Sequence, residues 1–203
     1  MDCLEVMKTI AKSPTSQQIC CRVLDDPLVQ EAVECLTRYD EYTLEHSLRV
    51  ASYAINLGNT YFMDKDELFE IGKAGLLHDI GKIYIRKDIV QKPGKLTQDE
   101  YTTVKQHVLL SCMWLSLHGV STKIVRAVSE HHERKDGSGY PYGIKGSELT
   151  LYGRILAVAD IYDAVTVKRV YQKSAMTAEE ALSLLSEDES VDPNVVNVLD
   201  GLV

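Results

Sequence analysis

The chain has 203 residues, of which 45% are hydrophobic and 26% charged, and a formal net charge of −8. That length suits one sizeable core burying roughly 70% of the unfolded surface, with room for a small extension, and argues against two independent domains. The acidic total speaks against a nucleic-acid polymer or anionic lipid as partner, both of which need a basic face, but leaves a small anionic substrate open because metal ions reverse a local potential.

Leu4, Met7, Ile10 and Ala11 recur at helical spacing up to Ser13-Pro14, and Ile19 and Val23 belong to a second short set. Asp26-Pro27 reads as an N-cap followed by Pro at the first helical position, with Leu28, Val29, Ala32, Val33 and Leu36 on one face. Residues 1–38 are expected to form a short N-terminal helical extension leaning on a main domain over 39–203. From Tyr42, Leu44, Leu48, Ala51 and Ile55 form one stripe, and His46, Val50, Tyr53 and Leu57 a second, up to Gly58 as the expected helix end. Asp64 with Glu67 is a capping pair, after which Leu68, Ile71, Gly75 and His78 share a face.

His78-Asp79-Ile80-Gly81-Lys82 then sets an imidazole beside a carboxylate where the helical pattern meets a glycine. An irregular stretch closes at Lys92-Pro93-Gly94, and Thr97 with Glu100 opens a helix expected to carry His107 in line with Leu110 and Trp114 as far as Gly119. Ser121 starts the next, whose stripe Ile124 and Val128 runs into His131 and His132. From Glu133 to Ser147 the glycines 137, 139, 143 and 146, with Pro141, predict a loop able to bring backbone close to a ligand. A long helix follows with Leu151, Ile155, Ala159 and Tyr162 on one side and Asp160 and Asp163 nearby; Thr177 with Glu180, and Asp192-Pro193, open the last two. No alternating strand pattern of useful length occurs, so the expected fold class is all-α.

Cys3, Cys20, Cys21, Cys35 and Cys112 are odd in number and lack Cys-x-x-Cys spacing, which points to reduced thiols. No apolar run approaches the ~18 residues of a spanning helix or forms a signal-peptide core, so a cytoplasmic protein away from membranes is expected. A lone helical His is more often a core residue satisfied by a backbone carbonyl. Here His46, His78, Asp79, His107, His131, His132 and Asp160 supply imidazoles and carboxylates from successive helical segments. Mixed nitrogen and oxygen donors without thiolates suit iron, manganese or zinc better than calcium. The ligand count fits two divalent ions, and Asp79 can bridge a pair held roughly 3.5–4 Å apart.

His78-Asp79-Ile80-Gly81-Lys82 and His131-His132-Glu133-Arg134-Lys135-Asp136-Gly137-Ser138-Gly139-Tyr140-Pro141 resemble the two signatures of the HD-GYP domain, a branch of the HD phosphohydrolases. The resemblance runs from Tyr42-Thr43 and His46-Ser47-Leu48-Arg49-Val50 to Asp192-Pro193-Asn194. It implies a helical bundle with a metal site between its helices, bacterial origin, and hydrolysis of the cyclic dinucleotide cyclic di-GMP. The seven residues named above would hold the metals, and hydroxide bridging them would attack one phosphorus in line, with Asp79 and Lys82 as the catalytic pair. Tyr140, Gly139 and Arg169 would contact substrate. The first helices would serve as a helical cap or dimer contact, and a second copy of the chain or signalling proteins are the partners expected.

Two departures qualify the resemblance. Some members place a Glu one turn before the first motif His, for a third ion; here it is Tyr42, so two metals are expected. Arg169-Val170-Tyr171-Gln172 carries a neutral residue where many members have a basic one, although Lys168 or Lys173 could substitute. Both losses favour a product that stops mainly at linear pGpG. A phosphohydrolase of another cyclic dinucleotide, and a weakly active binding or protein-interaction module, are the alternative readings.

Overall fold

The computed structural model describes residues 1–167 and 174–203, so the expectations placed on Lys168, Arg169, Gln172 and Lys173 lie outside the described residues. The described residues form twelve α-helices and no strand: α1 (Cys3–Ile10), α2 (Pro14–Leu24), α3 (Pro27–Tyr39), α4 (Glu41–Thr60), α5 (Lys65–Leu77), α6 (Lys87–Val90), α7 (Gln98–Lys105), α8 (His107–Leu117), α9 (Thr122–Glu130), α10 (Leu151–Thr166), α11 (Ala178–Glu187) and α12 (Pro193–Asp200). A 3-10 helix over Ile80–Tyr84 joins α5 to α6. None of these helices is long and apolar enough to cross a membrane.

Caps set most boundaries. The side chains of Asp26, Asp64, Thr97, Thr177 and Asp192 each accept the first free backbone N–H groups of the helix they open, and Glu67, Glu100 and Glu180 close reciprocal capping boxes. The centre of the bundle is α4 against α5. A Cβ on Gly75 would lie 2.8 Å from the Ala51 Cα, so the missing side chain is what lets the two backbones cross closely. Met7, Ile19, Val23, Val29 and Leu36 of α1–α3 belong to the same buried cluster as Leu48, Leu77, Val128 and Ile155. One core therefore runs from the first helices to the helices that carry the histidines.

Three local expectations differ from the structure. Gly58 lies inside α4, where its bare Cα makes room for Met63 and Leu68; the helix continues to Thr60. The helix from Thr97 breaks at Gln106 into α7 and α8, because His107 turns back to bond the last turn of α7, Nδ1 to the Val104 carbonyl at 2.6 Å. The stretch after Lys82 is not wholly irregular, since it holds the 3-10 helix and α6.

The 3-10 helix is clamped on α8. Gly81 N–H donates to Ser111 Oγ at 2.8 Å, and Ser111 Oγ donates to the His78 carbonyl at 2.7 Å. A Cβ on Gly81 would meet the His107 carbonyl at 2.2 Å and the Ser111 nitrogen at 2.4 Å, both of them backbone atoms that cannot swing away. Gly81→Ala is expected to destabilise the protein by about 1–3 kcal/mol through overpacking. That corresponds to a fall in Tm of roughly 2–4 °C per kcal/mol for a chain of this size. A thermal melt coinciding with that of the unsubstituted protein would refute the clamp.

Candidate metal centre

Helix ends assemble the centre. His78 is the C-cap of α5 and His131 that of α9, His107 opens α8, and His46 and Asp160 project from α4 and α10. His46, His78, Asp79, His107, His131 and Asp160 are buried, and His132 is half-buried. Asp79 lies at the middle with its two oxygens turned to different partners. Its Oδ2 is 3.3 Å from His78 Nε2 and 3.7 Å from His46 Nε2, while Oδ1 is 3.2 Å from His107 Nε2. Asp160 faces the same space, with Oδ1 3.1 Å from His46 Nε2 and 4.0 Å from His78 Nε2, and Oδ2 3.7 Å from His132 Nδ1. His107 and His131 approach each other at 3.3 Å between their Nε2 atoms. Two sets of donors within 4.8 Å of one another result: His46 with His78 and Asp79, and His107 with His131 and His132.

The backbone orients three of these rings by one device. Nδ1 of His78, His107 and His131 lies 2.6–2.7 Å from the carbonyl three residues earlier, that of Gly75, Val104 and Val128. Donation there puts the proton on Nδ1 and turns the Nε2 lone pair inward. Burial pushes His107 down to about 4 and His132 to about 3, and with the neighbouring imidazoles holds His131 well below its ordinary value, so all three stay neutral. His46 behaves otherwise: burial would lower it, but hydrogen bonds to Asp160 and Asp163 lift it to about 9. Burial also opposes ionisation of Asp79 and Asp160, yet Lys82 and His78 around the first, and His46 and His132 around the second, hold both carboxyls well below the usual range.

Lys82 Nζ is 2.5 Å from Asp79 Oδ2. Tyr140 rises from the glycine loop and stacks on the His132 ring at 4.7 Å between centroids, followed by Pro141 across a cis peptide bond. Gly139 packs within the loop, since a Cβ there would come within 2.4 Å of the Glu133 Cα and the Arg134 nitrogen. Tyr42 sits on α4 one turn before His46.

Supporting residues emerge that spacing alone does not single out. Asp163, fully buried, accepts from His46 Nδ1 at 2.7 Å and from Arg49 Nε at 2.6 Å and Nη2 at 3.1 Å. Its position three residues after Asp160, on the same face of α10, was the available signal. Buried Glu133 gathers the glycine loop by accepting the backbone N–H groups of Tyr142, Gly143 and Ile144.

His78 Nε2 and Asp79 Oδ1 are buried without a hydrogen-bond partner, although buried polar atoms are almost always paired. The neutral imidazoles of His107, His131 and His132 and the ionised carboxylates of Asp79 and Asp160, gathered beside the unpartnered His78 Nε2, are the donor set a divalent transition metal requires, so these residues fit such ions. The fold and the site together define a helical metalloprotein of the histidine–aspartate type. A family model described as the HD domain matches residues 29–195, and the chain belongs to that family, whose phosphohydrolases use divalent metals. A cyclic di-GMP phosphodiesterase of Pseudomonas aeruginosa is 36% identical over 192 residues, covering 94% of this chain and 46% of the relative. A 3'3'-cGAMP-specific phosphodiesterase of Vibrio cholerae is 36% identical over 154 residues, covering 75% of this chain and 33% of the relative. The chain thus spans less than half the length of these relatives. Among solved structures, an HDG"Y"P protein of Bdellovibrio bacteriovorus superposes with a TM-score of 0.67 at 14% identity, covering 98% of this chain and 68% of that one, which speaks to the fold.

Proposed function

We propose that the chain is a metal-dependent phosphodiesterase that hydrolyses cyclic di-GMP, mainly to linear pGpG. The observation that carries this reading is Asp79, whose two oxygens face different imidazoles in a buried cluster, the arrangement needed to bridge two ions. His46, His78, Asp79, His107, His131, His132 and Asp160 are assigned to two divalent ions, with iron or manganese ahead of zinc on donor type. Bound there, such ions supply water made nucleophilic near neutral pH and positive charge against the phosphoryl oxygens. Lys82 keeps an ammonium beside Asp79, where it donates to a phosphoryl oxygen as charge builds in the transition state. Tyr140, stacked on His132 beside the centre, is assigned to the substrate, and burial of His46, His78, Asp79, His107 and His131 between the helices shields them from bulk water. The cytoplasm is the proposed compartment, consistent with the five free cysteines.

Ring opening leaves a terminal phosphate with added charge and a freely rotating chain, so the second cleavage needs more cationic clamping. With Tyr42 at the position of the third-ion Glu, the first product is expected to accumulate. The similarity to a 3'3'-cGAMP-specific enzyme supports that dinucleotide as a second substrate. The test is anaerobic loading with iron or manganese, elemental analysis, and time-resolved separation of products from both dinucleotides. Close to two ions per chain and a build-up of pGpG ahead of GMP are expected. GMP rising as fast as cyclic di-GMP disappears would overturn the product assignment, and loaded protein that cleaves neither dinucleotide would overturn the enzyme.

A further inference from the structure

The wall of the centre continues outward along a ladder of side chains that the metal cluster does not use. Tyr140 stacks on His132 at 4.7 Å with the ring planes 28° apart. Lys105 Nζ lies 4.9 Å from the centre of the Tyr140 ring and 5.1 Å from that of Tyr101, so the ammonium sits between two aromatic faces. Lys105 ends α7 and directly follows Val104, whose carbonyl holds His107. The cation is thereby fixed in register with the centre, two stacking distances from one of its imidazoles. Among the described residues no carboxylate pairs with Lys105; Glu100, on the same helix, is taken by Lys92. Tyr101, one turn earlier on α7, leaves 44% of its surface open.

An unpaired ammonium and an open ring face, side by side at the rim of a phosphodiester-cleaving centre, suit one feature of a cyclic dinucleotide: the second phosphate with its attached purine, held at a fixed span from the bond being cleaved. We propose that Lys105 and Tyr101 form this second subsite, with Lys105 binding the phosphate that does not react and Tyr101 stacking the adjacent base. The inference rests on the phosphodiesterase reading above. A charge-assisted bond to phosphate is stronger than an exposed cation–π contact, so the ammonium leaves the rings for the ligand. Stacking on one tyrosine tolerates either purine, since every base presents a π-face.

The test is steady-state kinetics of metal-loaded wild type, Lys105→Met, Lys105→Arg and Tyr101→Leu on cyclic di-GMP at low salt, with metal content and melting temperature measured for each. Lys105→Met should raise KM about tenfold or more with kcat within about twofold, the pattern of a lost ground-state contact. Lys105→Arg should restore KM to within about threefold of wild type, and Tyr101→Leu should raise it about three- to tenfold. Unchanged KM in Lys105→Met, or a loss of kcat alone, would overturn the subsite while leaving the phosphodiesterase standing. Wild type inactive on both cyclic di-GMP and 3'3'-cGAMP would overturn that reading and this inference with it.

Discussion

Asp79→Ala is expected to empty the centre of metal and to lower turnover by at least about a thousandfold while the helices persist. The two oxygens of Asp79 face imidazoles of both sets, as those of Asp160 also do, and Asp79 is itself a member of one set, so its loss removes a donor from each proposed ion at once. The fold should tolerate the change. Burial disfavours the Asp79 charge, and only Lys82 and the surrounding imidazoles make it acceptable, so its removal also removes a desolvation cost. Lys82 keeps 20% of its side chain exposed and can carry its ammonium to solvent on a flexible stem. Elemental analysis with far-ultraviolet circular dichroism decides the matter: a helical variant that still holds two ions would refute the bridging role.

Asp163→Ala should do the opposite, injuring the fold as much as the site. Asp163 receives two bonds from Arg49 and one from His46 in a position without solvent access. Truncation leaves the mostly buried Arg49 with Glu45, 3.5 Å away on its own helix, as its remaining ion-pair partner among the described residues. Breaking a buried pair by removing one partner costs about 3–5 kcal/mol. His46 also loses the group that sets its ring, and supporting hydrogen bonds of this kind are worth about 10–100-fold in metal affinity. A thermal melt and a metal titration measure the two effects separately, and full metal affinity in a protein that melts early would show Asp163 to be structural only.

The difference between these residues marks what the chain discloses on its own. Asp79 is legible because it stands next to His78, and Thr97, Asp64 and Asp192 are legible because a cap is chemistry between residues two or three apart. The all-helical class follows from apolar spacing of the same short range. The bond from Arg49 to Asp163 spans 114 residues, and the clamp of Gly81 on Ser111 spans 30, so neither leaves a local pattern. The break at Gln106 belongs with them. Thr97, Leu110 and Trp114 mark a continuous helix, and only the turn of His107 toward Val104 interrupts it. Gly139 lies in the expected loop, where Glu133 and Arg134 occupy the space of a Cβ, whereas Gly58 reads as a stop signal but sits inside α4 with Met63 and Leu68 against it.

The three rings fixed by carbonyls have a consequence for how the protein is held together. With both protons committed outward, His107 and His131 confront each other through bare lone pairs 3.3 Å apart, and neither can donate to the other. Two like dipole ends at that distance, in a buried and weakly screened place, repel. The polypeptide thus builds a frustrated spot into its own interior, and the surrounding core, from Met7 to Leu199, bears the repulsion. A divalent cation held by His107 and His131 would turn this opposition into attraction. Folding and loading are therefore expected to be coupled: an ion held by these residues would relieve a conflict within the bundle and tighten the joint where the ends of α5, α8 and α9 meet.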